Sequence, residues 1–408
     1  MAVASSTIAP AREVAAHRTI TPGPVAAAAL IAAAAWMLQA SVGWRQGALF
    51  LVGAGAGVVL YHAAFGFTTA WRVLIADGRG EGVRAQMLLL ALTCAAFFPL
   101  LAQGEAFGIR LTGLVQPPGV PVVAGAFLFG VGMQLGGGCA SGTLFSVGGG
   151  STRMLVTLAA FIAGSVYGTA HSAFWTSLPS FPATSLVTRF GAVGALAMSL
   201  VVFGLIFVAT VVAERRRFGA LVETPLPPTP QRWLRGPWPL VAGAVGLMLV
   251  NLATLLLAGR PWGITSAFAL WGAKIARLSG VPVESWPYWS TPGQLAALNG
   301  SVFHDVTSVM DFGIVLGALL AALLAGRFKP GWRIPARSLA AAVVGGLLLG
   351  YGARVAYGCN IGAYFSGIAS GSLHGWLWLP SAFAGNVLGT WLRPAFGLGV
   401  ERTARPGC

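Results

Sequence analysis

Residues 130–146 of this chain read GVGMQLGGGCASGTLFS, and residues 350–366 read GYGARVAYGCNIGAYFS. The two stretches align at one constant offset and share seven residues: Gly130 with Gly350, Gly132 with Gly352, Gly138 with Gly358, Cys139 with Cys359, Gly142 with Gly362, Phe145 with Phe365, and Ser146 with Ser366. The chain therefore contains an internal repeat. Each copy places one cysteine inside a glycine-rich interruption of an apolar run.

The likeness continues on both sides of the cysteines. AGSVYGT (163–169) matches AGNVLGT (384–390), and a weaker echo pairs GFTTA (66–70) with GITSA (263–267). Each half thus contributes an entering span, a Gly-Thr-rich break, two further spans and the Gly-Cys break. The repeat predicts five segments: a cytoplasmic N-terminal tail at 1–22, a first half at 23–213, a cytoplasmic linker at 214–237, a second half at 238–395, and a C-terminal tail at 396–408.

The composition is that of a membrane protein. Hydrophobic residues make up 56% of the chain and charged residues only 9%, whereas soluble domains carry about 25% charged residues. Alanine, glycine and leucine dominate without a period-two alternation, which predicts helices rather than a barrel. We therefore predict an all-α polytopic protein with about ten spans: 25–41, 47–66, 85–102, 119–136, 154–175, 191–213, 238–258, 310–326, 338–357 and 373–392.

The net charge of +15 reflects orientation rather than nucleic-acid binding, because the arginines are scattered between the apolar spans. With both termini in the cytoplasm, only six basic residues fall outside: Arg45, Arg110, Arg189, Arg260, Lys274 and Arg277. This bias follows the positive-inside rule and predicts a multi-pass protein of a bacterial inner membrane. Corresponding spans of the two halves lie five apart, and an odd displacement reverses direction, so the repeats are predicted to be inverted.

Non-helical backbone at membrane depth is tolerated where protein or a water-filled cavity satisfies it, so the breaks predict a lined pathway. Short helices that begin at a break direct free N–H groups into that pathway, which favours an anion. A thiol is soft and suits a sulfur atom. The predicted pathway residues are Cys139, Cys359, Gly138, Gly358, Asn360, Gly66, Arg354 and Gln134; neither a metal nor a cofactor is expected.

Other interpretations of these residues stay open. Glycines could serve helix packing alone. Arg354, the basic residue placed within a span, is either functional or a structural brace, and Gln134 is its counterpart in the repeat. Cys94 and Cys408 are given no functional role.

The two quoted segments, with the continuation GIASGSLHGW, resemble the paired signatures of the YeeE/YedE family of sulfur-compound transporters. The resemblance covers about residues 47–392 and implies inverted halves around an hourglass pore, with Cys139 and Cys359 binding thiosulfate through S–H to sulfur hydrogen bonds. Family members often carry a third cysteine in a stretch like FCFTSAFR. Here FGFTTAWR (65–72) places Gly66 at that position.

We therefore expect a permease, not an enzyme, that imports a small sulfur-containing anion, with thiosulfate as the first choice. The resemblance implies a small cytosolic sulfur-carrier protein as a partner. Three alternatives are a transporter of another sulfur or selenium compound, a membrane-embedded sulfurtransferase that forms a covalent persulfide, and a structural subunit of a larger complex.

Overall fold

The computed structural model describes residues 22–222 and 231–401. The rest of the chain, which includes most of the predicted N-terminal tail, part of the linker and Cys408, lies outside the described residues. The helices are α1 Pro22–Ser41, α2 Trp44–His62, α3 Phe67–Asp77, α4 Glu81–Gln103, α5 Val120–Gly136, α6 Ala140–Gly148, α7 Thr152–Ala170, α8 Ser172–Thr176, α9 Leu186–Phe218, α10 Arg232–Arg235, α11 Leu240–Ala258, α12 Thr265–Leu278, α13 Pro292–Asn299, α14 Val306–Leu324, α15 Ala336–Val355, α16 Gly367–Ala369 and α17 Leu373–Leu392.

Three smaller features complete the described chain. A π helix covers Asn360–Ser366, 3-10 turns cover Val283–Ser285 and Arg393–Phe396, and a two-stranded antiparallel hairpin joins Glu105–Ala106 (β1) to Ile109–Arg110 (β2). The protein is therefore an all-α polytopic membrane protein with one short hairpin between α4 and α5.

Within the described ranges, nine helices are long and apolar enough to cross a membrane, and two of these spans combine a long helix with the short one after it: Trp44–Asp77 and Val120–Gly148. The predicted tenth span, 373–392, is a continuous helix with those bounds, Leu373–Leu392. It is not among the nine. Its polar residues, including the buried His374 and Asn386, make it less apolar than the other long helices.

All four predicted breaks interrupt the helices. α2 ends at His62 and α3 begins at Phe67, while α11 ends at Ala258 and α12 begins at Thr265. The Gly-Cys breaks separate α5 from α6 and α15 from the π helix. The predicted linker is partly helical, because α9 continues to Phe218 and α10 lies within it.

The centre of the protein is the contact of α5 with α15. A Cβ atom built on Gly345 would lie 2.6 Å from the Gly136 Cα, so the two backbones touch and only glycine fits there. α17 packs on α5, and α7 packs on α15. Because α7 and α17 are counterparts in the sequence repeat, each half supplies the flanking helix of the other half.

The short segments that follow the two cysteines also pack on helices of the opposite half. α6 packs against α14, whereas the residues that follow Cys359 pack against α4 and α17. This interleaving brings the two cysteine segments to one central region.

Candidate functional site

Cys139 is the N-cap residue of α6, and its sulfur is held by short-range hydrogen bonds. The Gly142 amide donates to the Sγ atom at 3.5 Å, and the Ser141 hydroxyl lies 3.3 Å from it. Gly137, which ends α5, has a φ of +90°, a left-handed conformation that glycine adopts at little cost. The glycine-rich break therefore serves to end one helix and begin another within three residues.

Cys359 occupies the same position at the start of the π helix. The amides of Ile361 and Gly362 interact with its sulfur, although no capping hydrogen bond forms. Its carbonyl accepts from Ala363 at 2.8 Å and from Tyr364 at 3.3 Å, the latter being the longer-range bond of a π turn. π turns inside helices occur frequently at functional sites.

The two cysteine segments meet. α6 contacts the π helix, and Cys139 lies within electrostatic range of the Cys359 thiol. Both side chains are sealed from solvent, with exposed fractions of 2% for Cys139 and 0% for Cys359. The structure therefore brings the predicted residues together in a closed arrangement rather than in an open pore.

Aromatic side chains form the seal beside the π helix. Tyr364 stacks on Trp378 with ring centroids 6.0 Å apart, and Trp71 and Phe67 contact the Tyr364 ring edge-on at 5.9 and 6.0 Å. Phe67 and Trp71 belong to α3, the helix that follows the Gly66 break. The aromatic seal therefore combines residues that follow a Gly-Thr break with a residue that follows a Gly-Cys break.

Several buried polar atoms around Cys359 have no hydrogen-bond partner within the described part of the chain. They are both amide atoms of Asn360, the Tyr364 hydroxyl and the Trp378 indole nitrogen. A buried polar group without a partner costs about 1–3 kcal/mol, so native proteins contain few such groups, and a bound ion or water is one explanation for those that remain. Sequence reasoning identified Asn360 but missed Tyr364 and Trp378. The signal for Tyr364 was its polar hydroxyl where the first copy has Leu144.

Gln134 and Arg354, counterparts in the repeat, make equivalent contacts. The Gln134 amide donates to the Thr68 carbonyl at 3.1 Å, and the Arg354 guanidinium donates to the Thr265 hydroxyl at 2.8 Å. Thr68 and Thr265 are themselves matched in the weaker repeat. Arg354 also donates to the Tyr288 hydroxyl at 3.2 Å. Each residue therefore ties a Gly-Cys segment to the short helix after a Gly-Thr break.

Three arginines surround the end of α5, a feature that the sequence analysis attributed to orientation alone. Arg153 donates to the Leu135 and Gly136 carbonyls at 2.7 and 2.6 Å, and Arg393 donates to the Gln134 carbonyl at 2.6 Å. These bonds satisfy carbonyls that the helix end leaves without partners.

The third arginine, Arg72, hydrogen-bonds the Gln134 side chain at 3.4 Å and forms a two-pronged ion pair with Glu401 at 2.7 and 2.5 Å. The Glu401 carboxylate shows that this basic end accepts an anionic group.

Gly66 lines a largely apolar cavity of about 620 Å³ between the start of α3, the start of α4 and α11. A Cβ atom at Gly66 would meet its nearest atom, the Thr69 hydroxyl oxygen, at 3.6 Å, an ordinary contact. The absence of the third cysteine is therefore not forced by packing. Neither Cys139 nor Cys359 lines this cavity. Cys94 is fully buried on α4, and its thiol donates a hydrogen bond to the Ile368 carbonyl of α16 at 3.8 Å.

The sequence profile of the Sulphur transport family matches residues 62–388. The chain is similar to the "Thiosulfate transporter TsuA" of Spirochaeta thermophila, with 29% identity over 84% of this chain and 96% of that protein. It is 23% identical to the Escherichia coli protein of the same name over 84% of this chain and 93% of the relative. It is 32% identical to the "Probable transporter YedE" of Salmonella typhimurium, but that alignment spans only 40% of the relative and 41% of this chain.

Proposed function

Because the chain belongs to the Sulphur transport family, as its resemblance to YeeE/YedE proteins predicted, we propose that it is a permease which imports thiosulfate across a bacterial inner membrane. The two relatives that align over most of their length are named as thiosulfate transporters. In this proposal the anion contacts the Cys359 thiol and then the Cys139 thiol, and it remains non-covalently bound throughout.

The observation that carries the proposal is the set of unpaired polar groups at Cys359. Asn360 and Tyr364 have hydrogen-bonding atoms that find no partner in the described chain, and both residues are fully buried. An N–H or O–H group aimed at a desolvated oxyanion forms a charge-assisted hydrogen bond, which is stronger than a neutral one. The thiol offers a soft donor to the terminal sulfur.

Transport requires the aromatic seal to move. Tyr364 and Trp378 cover the π helix on one side, and the cavity beside Gly66 lies at the start of α3, which carries Phe67 and Trp71. We propose that a shift of α3 relative to the π helix connects this cavity to the cysteines. The anion then leaves on the cytoplasmic side, where a small sulfur-carrier protein receives it.

The test is uptake of labelled thiosulfate into proteoliposomes that contain the purified protein. Cys139→Ala and Cys359→Ala should each lower the initial rate by at least about tenfold, because each removes one of two successive contacts. Cys94→Ala is the matched control, since Cys94 is equally buried but lies on α4, outside both Gly-Cys breaks. Wild-type rates in the Cys139→Ala/Cys359→Ala double variant would refute the thiol pathway.

Competing anions define the substrate class in the same assay. Unlabelled thiosulfate should compete more strongly than sulfate, which lacks the terminal sulfur. Stronger competition by a selenium oxyanion would assign the other substrate class that the family resemblance left open. A persulfide trapped on either cysteine during turnover would instead support the sulfurtransferase alternative.

A further inference from the structure

Asp311 is a carboxylic acid buried inside a membrane-spanning helix. It lies in the second turn of α14, and its exposed fraction is 0%. Neither carboxyl oxygen has a hydrogen-bond partner within the described residues. Other buried acids of the described chain are paired: Asp77 with Arg79 at 2.6 Å and Glu214 with Arg84 at 2.7 Å. Asp311 therefore differs from them in having no arginine partner among the described residues.

No cation of the described residues pairs with Asp311. α10, which also contacts α14, carries Arg232 and Arg235 and ends beside His62 in the last turn of α2. α1 and α6 contain no ionisable residue at all. α2 carries Arg45, Tyr61 and His62 only in its first and last turns. α12 carries Lys274 and Arg277 in its second half.

Both basic side chains of α12 have partners elsewhere. Lys274 donates to the Leu298 and Gly300 carbonyls, and Arg277 pairs with Glu284. Six residues before Asp311, Asp305 caps α14 and lies 4.0 Å from the Arg260 guanidinium. Asp305 is a second acidic group near Asp311.

A carboxylate without a partner in such surroundings is strongly disfavoured, so the group keeps its proton. α14 packs on α6, the helix that begins after Cys139. Met310, the neighbour of Asp311, accepts a hydrogen bond from Thr254 of α11, the helix whose Asn251 donates to Ser366 of the π helix. Asp311 and the Cys359 thiol are close enough to interact electrostatically.

An anion at Cys359 would repel an ionised Asp311 but not a protonated one. Anion binding at Cys359 and proton binding at Asp311 are therefore thermodynamically linked. By reciprocity, proton binding at Asp311 must also favour anion binding at Cys359.

We propose that Asp311 is a proton-binding site that couples anion uptake to proton entry. In the closed arrangement Asp311 holds the proton while the anion occupies Cys359; opening of the aromatic seal lets water reach the carboxyl group, and the proton leaves it as the anion departs, so one proton and one anion cross together. A proton moving with the anion cancels one negative charge, which reduces the opposition of an inside-negative membrane potential. This inference rests on the permease function proposed above.

The test compares wild-type protein with Asp311→Asn in proteoliposomes under an imposed pH gradient, acidic outside. For the wild type, each unit of gradient should raise the equilibrium accumulation of thiosulfate about tenfold per proton moved. Asp311→Asn resembles the protonated form but cannot release a proton, so it should equilibrate thiosulfate without responding to the gradient. Asp305→Asn retains a good helix cap and should respond as the wild type does.

A second measurement covers the case in which Asp311→Asn proves inactive. Vesicles of wild-type protein loaded with a pH-sensitive dye should acidify when thiosulfate is added outside. Uptake without acidification, or an Asp311→Asn variant that responds fully to the gradient, would overturn the proposal while leaving the permease intact. A wild-type protein that takes up no thiosulfate at all would instead refute the proposed function itself.

Discussion

The two cysteine segments descend from one repeat, yet they are built differently. After Cys139 the chain forms an α helix whose first turn holds the sulfur through Ser141 and Gly142. After Cys359 it forms a π helix in which Asn360 and Tyr364 have polar atoms without a hydrogen-bond partner among the residues that the structure describes. The equivalents of these two residues in the first copy are Ala140 and Leu144. In the first segment the cysteine sulfur is hydrogen-bonded by its own helix turn, whereas the second segment has polar groups that remain free to bind a ligand.

This difference separates two roles that the repeat alone would assign equally. A satisfied segment is a stable place for a thiol that passes a ligand on. A segment with unpaired donors is less stable by itself and gains from binding an anion, as expected at a functional site. In the proposed function, this difference favours Cys359 as the main recognition site of the anion and Cys139 as the second contact.

The largest expected effect tests the backbone on which the second segment depends. Gly358 has a φ of +154°, and a Cβ atom there would lie 2.7 Å from the Ala363 amide nitrogen. Gly358→Ala should therefore destabilise the protein by about 2–3 kcal/mol and sharply lower the yield of folded protein.

Gly138→Ala is the matched variant in the first segment. Its Cβ atom would lie 3.1 Å from the Gly142 carbonyl carbon without a left-handed φ, so the cost should be about 1 kcal/mol. Unfolding temperatures in detergent measure both. Equal decreases in unfolding temperature for Gly358→Ala and Gly138→Ala would show that the backbone is equally constrained at the two breaks.

Asn360→Ala gives the second segment the residue of the first. Because the Asn360 amide has no partner in the described chain, its removal should leave the unfolding temperature unchanged or raise it. Thiosulfate uptake should fall about tenfold, the effect of losing a hydrogen bond to a charged ligand.

The control for this variant is Asn386→Ala. Asn386 is also fully buried, but its amide bonds Gln134 and the Ala382 carbonyl, so its loss should lower stability by about 1–3 kcal/mol. Uptake by Asn360→Ala at the wild-type KM and rate would remove Asn360 from the pathway.

The long helices could be predicted from sequence because each is a continuous apolar run. The predicted span 119–136 became α5, Val120–Gly136, and the predicted span 373–392 became α17. The breaks were also predictable, since glycine clusters interrupt those runs.

The rest of the site depends on tertiary contacts. Trp378 reaches Tyr364 only because α17 packs beside the π helix, and Arg72, Arg153 and Arg393 meet although they lie far apart in sequence. The π helix itself depends on packing, since nothing in the residue pattern separates it from the α helix of the first copy.

A smaller effect is expected from Arg354→Gln, which gives the second half the residue of the first at this position. The guanidinium bonds the Tyr288 and Thr265 hydroxyls, and glutamine can keep only the nearer contact. We expect a loss of about 1 kcal/mol in unfolding free energy and uptake within about threefold of wild type, as for a brace.

Arg277→Gln, a change at a half-exposed arginine of the same region, provides the baseline for losing one positive charge. A tenfold fall in uptake by Arg354→Gln at unchanged stability would make Arg354 part of the pathway instead.

The smallest expected effect concerns the ion pair of Arg72 with Glu401. The second half has Ala269 at the position equivalent to Arg72 and so lacks this basic partner. The hydrogen bond from Arg72 holds the pKa of Glu401 below its usual value of 4.5. A carboxyl group whose pKa is lowered on folding stabilises the protein above its unfolded pKa, and this contribution disappears as the pH falls through the lowered value. Because the Glu401 side chain is 35% exposed, solvent screens the pair, and Glu401→Gln should cost no more than about 1 kcal/mol at pH 7.

The pH dependence distinguishes this pair from simple packing of the C-terminal segment. The difference in unfolding temperature between wild type and Glu401→Gln should shrink steadily below about pH 4.5, as wild-type Glu401 takes up its proton and comes to resemble glutamine. Glu105→Gln, at an exposed glutamate of the hairpin, corrects for the general effect of removing a negative charge. A difference that stayed constant down to pH 3 would mean that Glu401 acts through its shape rather than its charge.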